Sequence, residues 1–111
     1  MRPRLTRAMQ LLVREAADDG AGGRQGGWLT LGTHWVELRP AGGRLERGEG
    51  HPRTRTPWRI TLRAIPFGAP SRPVAGQVFA TGARRFAIRA VAETGAGADW
   101  LVCFCDEETA A

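Results

Sequence analysis

Apolar and polar positions alternate most regularly in the segment TRTPWRITLRAI, which spans residues 54–65. Trp58, Ile60 and Leu62 share one parity, and Arg or Thr occupies each position between them. Side chains on an extended strand point to opposite faces in turn. The pattern therefore predicts an antiparallel strand with one face in the core and the other in solvent.

The segment WLTLGTHWVELRP also alternates, but its phase changes in the middle. Leu31 and Trp35 have one parity, whereas Val36 and Leu38 have the other. A β-bulge inserts one extra residue and so moves the following side chains to the opposite face, and Gly is common at such positions. The pattern predicts a strand with a bulge near Gly32.

Three further segments have strand patterns. QVFATGARRFAIRAVAE predicts a β-hairpin, and WLVCFC, residues 100–105, is apolar on both faces. A strand that is apolar on both faces is typical of the centre of a sheet or of a subunit contact. The acidic end DEETAA is expected to fray. Near the N-terminus, Met9–Val13 predicts either a strand or the start of a helix.

These patterns predict an all-β fold, a small antiparallel β-barrel of about six strands, because closing the sheet removes its exposed edges. A β-sandwich is the alternative. A chain of 111 residues suits a single domain over residues 1–111. The link between the second and third strands, at about residues 41–53, is unusually long for so small a domain and is rich in Gly and Arg.

Basic charge is concentrated in and beside that long loop. All 16 basic residues are Arg, and seven of them lie from Arg39 to Arg63, where only two Glu oppose them. The rest of the chain has nine Arg and nine acidic residues, so the net charge of +5 lies in this segment. Such a segment suits a polyanion or an acidic protein surface, and a solvated loop made basic by GC-rich coding is the alternative.

Few side chains fit a catalytic or metal site. No Asp, Glu or Cys stands near His34 or His51 at the spacing of metal ligands, and Ser71 is in no nucleophile motif. Cys103 and Cys105 do not form a C-x-x-C motif and are interpreted as small buried hydrophobes. No enzymatic activity, cofactor or metal is expected. No apolar run approaches the roughly 18 residues of a transmembrane helix.

Five segments, taken in order, carry a resemblance to a known family. They are MQLLVREAADDGAGG, HWVELRP, WRITLRAI, VFATGARRFAIRAVAE and WLVCFCDEE, and they run from about Met9 to Glu108. Their order and spacing resemble the phage head–tail joining family, the head-completion or stopper proteins of long-tailed phages, with relatives in prophages and gene transfer agents. The connection PFGAPSRPVAGQ and the first eight residues depart from the family pattern.

The resemblance implies a structural head–tail connector. About six or twelve copies would form a ring, with the adaptor and portal on the head side and the tail terminator or tail tube on the tail side. Double-stranded DNA would pass through without sequence-specific contacts, and no membrane would be involved. The chain would be made in the bacterial cytoplasm and would end at the head–tail interface of a virion or phage-like particle.

The residues expected to serve this function fall into two groups. The candidates for the DNA channel or for contact between subunits lie in and beside the long loop: Arg44, Glu46, Arg47, Glu49, His51, Arg53 and Arg55. The candidates on the outer face of the flanking strands, as an interface, are Arg39, Arg59 and Arg63.

Two other functions remain open from the sequence. A tail-completion, or terminator, ring protein would have similar features. A small-barrel nucleic-acid-binding module would place aromatic side chains on the same face as its basic residues. Trp58 instead alternates with the Arg face of its strand, which favours a place in the core.

Overall fold

The computed structural model describes residues 2–15, 27–42, 46–47 and 53–110. Within these ranges every regular element is a β-strand. The strands are β1 (Arg7–Arg14), β2 (Trp28–Pro40), β3 (Glu46–Arg47), β4 (Arg53–Arg63), β5 (Val78–Thr81), β6 (Arg84–Thr94) and β7 (Trp100–Ala110). The N-terminal apolar segment, for which strand and helix were both open, is therefore a strand.

Six of the described strands close into an antiparallel barrel. They are hydrogen-bonded in the order β2-β1-β5-β6-β7-β4, and β4 also pairs with β2 to complete the circle. β7 occupies one edge of β4 along its whole length, and β2 and the short β3 share the other edge. The predicted all-β fold, a small antiparallel barrel of about six strands, is confirmed.

The core lies inside the barrel, on the alternate positions that the sequence predicted. Ile60, Leu62 and Leu101 are almost completely buried, and Trp58 packs against this cluster. Burial of each large apolar side chain contributes about 1.5–3 kcal/mol. The other members of the core cluster are Met9, Leu11, Val36, Phe79, Phe86, Ile88, Cys103 and Cys105.

The change of phase in β2 comes from the predicted bulge. In the pairing of β1 with β2, Leu11 lies opposite Gly32 and Leu12 lies opposite Thr30, so Leu31 is the extra residue. The residues that follow the bulge therefore present the opposite parity to the core, which is what the sequence pattern required.

β4 and β7 continue past the barrel as a two-stranded ribbon. β2 stops pairing with β4 at Trp58, and β6 stops pairing with β7 at Glu107. β4 and β7 stay paired as far as Arg53 and Ala110. The expectation that the acidic end frays was wrong for residues 106–110, because these residues belong to β7.

The long loop is shorter than the sequence suggested, since strand structure interrupts it. Glu46 and Arg47 form β3 and pair with Arg55 and Thr54 near the end of the ribbon. Arg53, expected as the last loop residue, already begins β4. A strand of two residues has no alternation of its own, so the sequence pattern could not distinguish it from loop.

Candidate interaction surfaces

Four of the seven residues predicted in and beside the long loop are described, and they lie at the end of the molecule where the β4–β7 ribbon projects. The other three lie outside the described residues: Arg44, Glu49 and His51. Of the four, three are described only by their backbone, in β3 and at the start of β4: Glu46, Arg47 and Arg53. The structure therefore brings the described members of this group to one end of the ribbon.

Arg55 is the member of that group with a described side chain. Its Nε donates a hydrogen bond to Glu108 Oε2 at 3.2 Å, across the β4–β7 pair. Both side chains are exposed, and an ion pair in water contributes only about 0–1 kcal/mol. The positive charge of Arg55 is therefore partly balanced within the chain.

Two other acidic residues at the end of β7 also face arginines. Arg84 donates two hydrogen bonds to Glu107, from Nε to Oε2 at 2.7 Å and from Nη2 to Oε1 at 2.9 Å. Arg89 Nε lies 2.9 Å from Asp106 Oδ2. The hydrogen bonds from Arg84 lower the pKa of Glu107. Sequence reasoning missed these pairs, although three acids in a row beside an Arg-rich hairpin were a signal for them.

The predicted outer-face arginines come together on β2 and β4. Arg39 lies directly opposite Arg59 in the strand register. Like charges in that position repel each other. Arg39 Nε is 3.2 Å from Glu37 Oε1, which balances one of the two charges. The same Glu37 accepts a hydrogen bond through Oε2 from the backbone N–H of Arg4 at 2.9 Å.

Aromatic rings on β7 hold the other two outer-face guanidinium groups. The Arg59 guanidinium carbon lies 5.8 Å from the centre of the Phe104 ring. The Arg63 guanidinium carbon lies 5.2 Å from the centre of the Trp100 ring. Contacts of this kind contribute about 0.5–1 kcal/mol at exposed sites and fix the direction of a long side chain.

These side chains border a depression that we call the outer groove. It has a volume of about 320 Å³, and its principal lining residues are Glu37, Arg39, Arg59, Trp100, Val102 and Phe104. Pro3 of the N-terminal segment also contributes to the lining. The groove thus combines basic side chains from two strands with apolar side chains from a third.

The Pro-rich connection between β4 and β5 is held against the barrel and exposes one aromatic ring. Arg72 Nη1 donates to the Ile65 carbonyl oxygen at 2.8 Å and lies 3.7 Å from Glu93 Oε2. The Arg72 guanidinium carbon is 3.7 Å from the centre of the Phe67 ring, which is 78% exposed. Sequence reasoning treated this segment as a simple connection and missed its order.

His34 and the two cysteines are packed groups. His34 Nε2 donates to the Ser71 carbonyl oxygen at 2.8 Å, and burial lowers the pKa of His34. Cys103 and Cys105 are free and fully buried, as predicted. Burial raises the pKa of Cys103 to about 12 and also raises that of Cys105, so neither thiol is a good nucleophile.

In the described part of the chain, no three His, Cys, Asp or Glu side chains gather into a group that could hold a metal ion. No helix there is long and apolar enough to cross a membrane.

Comparison with known proteins agrees with the motifs and the barrel. Residues 1–108 match the family model described as phage head completion protein. Among solved structures, a chain in the virion of a native gene transfer agent particle is 40% identical, with a TM-score of 0.84. The match covers 99% of this chain and 100% of that chain. No curated protein matches. The chain therefore belongs to the phage head completion protein family, whose members are structural proteins of the virion.

Proposed function

We propose that this chain is a head–tail connector of the stopper class, a single domain over residues 1–111 that forms a ring. The ring stacks between the adaptor and portal on the head side and the tail terminator or tail tube on the tail side. Double-stranded DNA passes through it. The supporting observation is the family match over residues 1–108, together with a full-length similarity to a chain of a gene transfer agent virion.

The closed barrel suits a wall element of such a ring. Six strands pair in a full circle, so each barrel strand is hydrogen-bonded to a neighbour on both sides. This mutual pairing keeps the backbone of each copy rigid. A rigid subunit is what a channel of constant width requires.

The ribbon end supports a role for the long loop in the channel or at a neighbouring subunit. β3 and the start of β4 hold both ends of the remaining loop on the β4–β7 ribbon, beyond the barrel strands. Arg contacts to phosphates are independent of sequence, which suits DNA in transit. Because Glu108 balances Arg55, the proposed phosphate or neighbour contacts rest mainly on Arg44, Arg47, His51 and Arg53, and Glu46 and Glu49 moderate their charge.

Particles that carry a loop variant test this proposal. Replacing Arg44, Arg47, Arg53 and Arg55 with Ser removes four positive charges from the loop and from the strand residues beside it. We expect assembled particles to lose packaged DNA or to deliver it less efficiently, measured by DNA content and transfer titre. The matched control replaces Arg7, Arg14, Arg24 and Arg85 with Ser. Unchanged retention and delivery in the loop variant would contradict a channel or contact role for the loop.

A salt series separates the connector from a free-standing nucleic-acid-binding module. We expect the isolated chain to bind duplex and single-stranded DNA only weakly, since a connector meets DNA at the concentration and geometry that the ring imposes. Tight, submicromolar binding by the monomer would favour the module instead. Fluorescence anisotropy with a labelled oligonucleotide at several salt concentrations provides the measurement.

A further inference from the structure

We infer that the outer groove is a docking site for a protein segment that carries acidic and apolar side chains, contributed by a neighbouring component of the particle. This inference rests on the proposed function, because it places another virion protein beside the barrel. It concerns the face formed by β2, β4 and β7, which lies apart from the ribbon end that carries the long loop.

Charge is the first observation that supports an acidic occupant. Next to the outer groove lies a second depression, and the two share Trp100. Together they are lined by four arginines and two acidic residues: Arg2, Arg39, Arg59, Arg63, Glu37 and Asp99. Within the described part of the chain, neither Arg59 nor Arg63 forms an ion pair, and Arg59 stands directly opposite Arg39. A carboxylate between these guanidinium groups would relieve their repulsion.

The apolar lining is the second observation. Val102 and Phe104 point outward from β7, a strand that has a neighbour on each side, and they remain half-buried at the groove. A volume of about 320 Å³ is at the lower end of the range for well-formed ligand pockets and holds a few side chains. The occupant therefore needs apolar side chains next to its carboxylates.

The stacking geometry favours protein over nucleic acid. The Arg59 guanidinium carbon lies over the Phe104 ring at 5.8 Å from its centre, and that of Arg63 lies over the Trp100 ring at 5.2 Å. A base that stacked on that side of either ring would have to displace the guanidinium group. Both guanidinium groups keep N–H edges for a planar carboxylate. A phosphate backbone also has no apolar side chain that could pack against Val102.

Peptide binding to the isolated full-length chain is the first test. The probe is Glu-Leu-Asp-Phe-Glu, and its matched control is Gln-Leu-Asn-Phe-Gln. We expect the acidic probe to shift the NMR signals of the Trp100 indole and of Val102 and Phe104, and the neutral peptide to leave them in place. Shifts that fall elsewhere on the molecule, or no shifts with either peptide, would overturn the inference.

Two variants and a competitor make this test specific. The double variant Arg39→Ser/Arg59→Ser should lower the affinity for the acidic probe by about tenfold or more, because it removes charge-assisted hydrogen bonds. Arg85→Ser, which removes one charge outside the groove, should leave the affinity unchanged. Equal affinity in all three proteins would overturn the inference, as would displacement of the probe by a duplex oligonucleotide at equal concentration.

Cross-linking in assembled particles separates this inference from the proposed function. The photoreactive residue p-benzoylphenylalanine replaces Phe104 or, in a second variant that leaves the ring stack intact, Thr61. Sequencing the cross-linked peptide should identify an acidic, apolar segment of another virion protein. Cross-links to DNA, or none in particles that still contain the ring, would overturn the docking site and leave the connector in place. A particle whose head–tail junction lacks this chain would contradict the connector itself.

Discussion

The two faces of β7 are both apolar in sequence, but they differ in burial. Leu101, Cys103 and Cys105 point into the closed barrel and are fully buried. Their neighbours in sequence, Trp100, Val102 and Phe104, point outward, stay half-buried, and lie beside arginines of other strands. An apolar pattern on both faces of a strand therefore does not mean burial on both. In this barrel the inner face stabilises the fold, and the outer face is free to recognise a partner.

The largest expected difference between the two faces comes from truncating adjacent residues. Leu101→Ala leaves a cavity in the barrel and should lower the free energy of unfolding by about 2–5 kcal/mol. Val102→Ala, one position further along, should lower it by less than about 1 kcal/mol because that site is half open to water. Urea denaturation followed by Trp fluorescence measures both. Equal losses would show that the outer face also stabilises the isolated chain.

Thiol reactivity should show how strongly the inner face of β7 is protected from solvent. Burial raises the pKa of Cys103 from its ordinary value of 9.0 to about 12. At pH near 8 the thiolate fraction, and with it the alkylation rate, should fall by about a thousandfold relative to a free thiol. Iodoacetamide labelling followed by mass spectrometry tests this, with the urea-unfolded chain as the fast control. Rapid labelling of the folded chain would mean that the barrel opens readily at β7.

The ribbon end of β7 should respond to acid through Glu107. Hydrogen bonds from Arg84 lower the pKa of this carboxyl below its ordinary value of 4.5. The folded state therefore gains stability that is complete above that pH and is lost as the pH falls through the lower, folded-state pKa. Glu107→Gln should flatten this part of the stability curve, because the carboxyl that titrates is then absent. If the free energy of unfolding of Glu107→Gln falls with pH as steeply as that of the unmodified chain, the Arg84–Glu107 pair does not stabilise the fold.

The smallest stability effect should come from the outer-face arginines. Arg59→Ser should change the free energy of unfolding by no more than about 0.5 kcal/mol, because the side chain is exposed and its ring contact is weak. Thermal unfolding measured by circular dichroism provides the comparison with Leu101→Ala. A loss as large as that of Leu101→Ala would place Arg59 among the residues that hold the barrel together.

Local alternation was enough to predict the barrel strands and the bulge. The alternation of Ile60 and Leu62 predicted the inner face of β4. The change of parity near Gly32 predicted the bulge in β2, where Leu31 is the extra residue. These features depend on residues within a few positions of one another. They could be derived without knowing which strands become neighbours.

The features that the sequence pattern did not predict depend on contacts between segments that are distant in sequence. The end of β7 looked like a frayed acidic tail, yet Arg84 and Arg89 on β6 pair with its acids, and these partners appear only when β6 and β7 are adjacent. The ordered loop around Arg72 likewise depends on Glu93, which lies 21 positions further along. The outer groove takes its lining from three strands, so the sequence could name its arginines but not their common surface.

A reconstruction of the whole particle would show where this chain lies and how its copies are arranged. We expect a closed ring of this chain at the head–tail junction, with the β4–β7 ribbon end directed toward the DNA channel or onto the next subunit. A particle that holds the chain elsewhere, or outside any ring, would contradict the proposed connector. A ring whose ribbon ends point away from both the channel and the neighbouring copies would contradict the role given to the long loop.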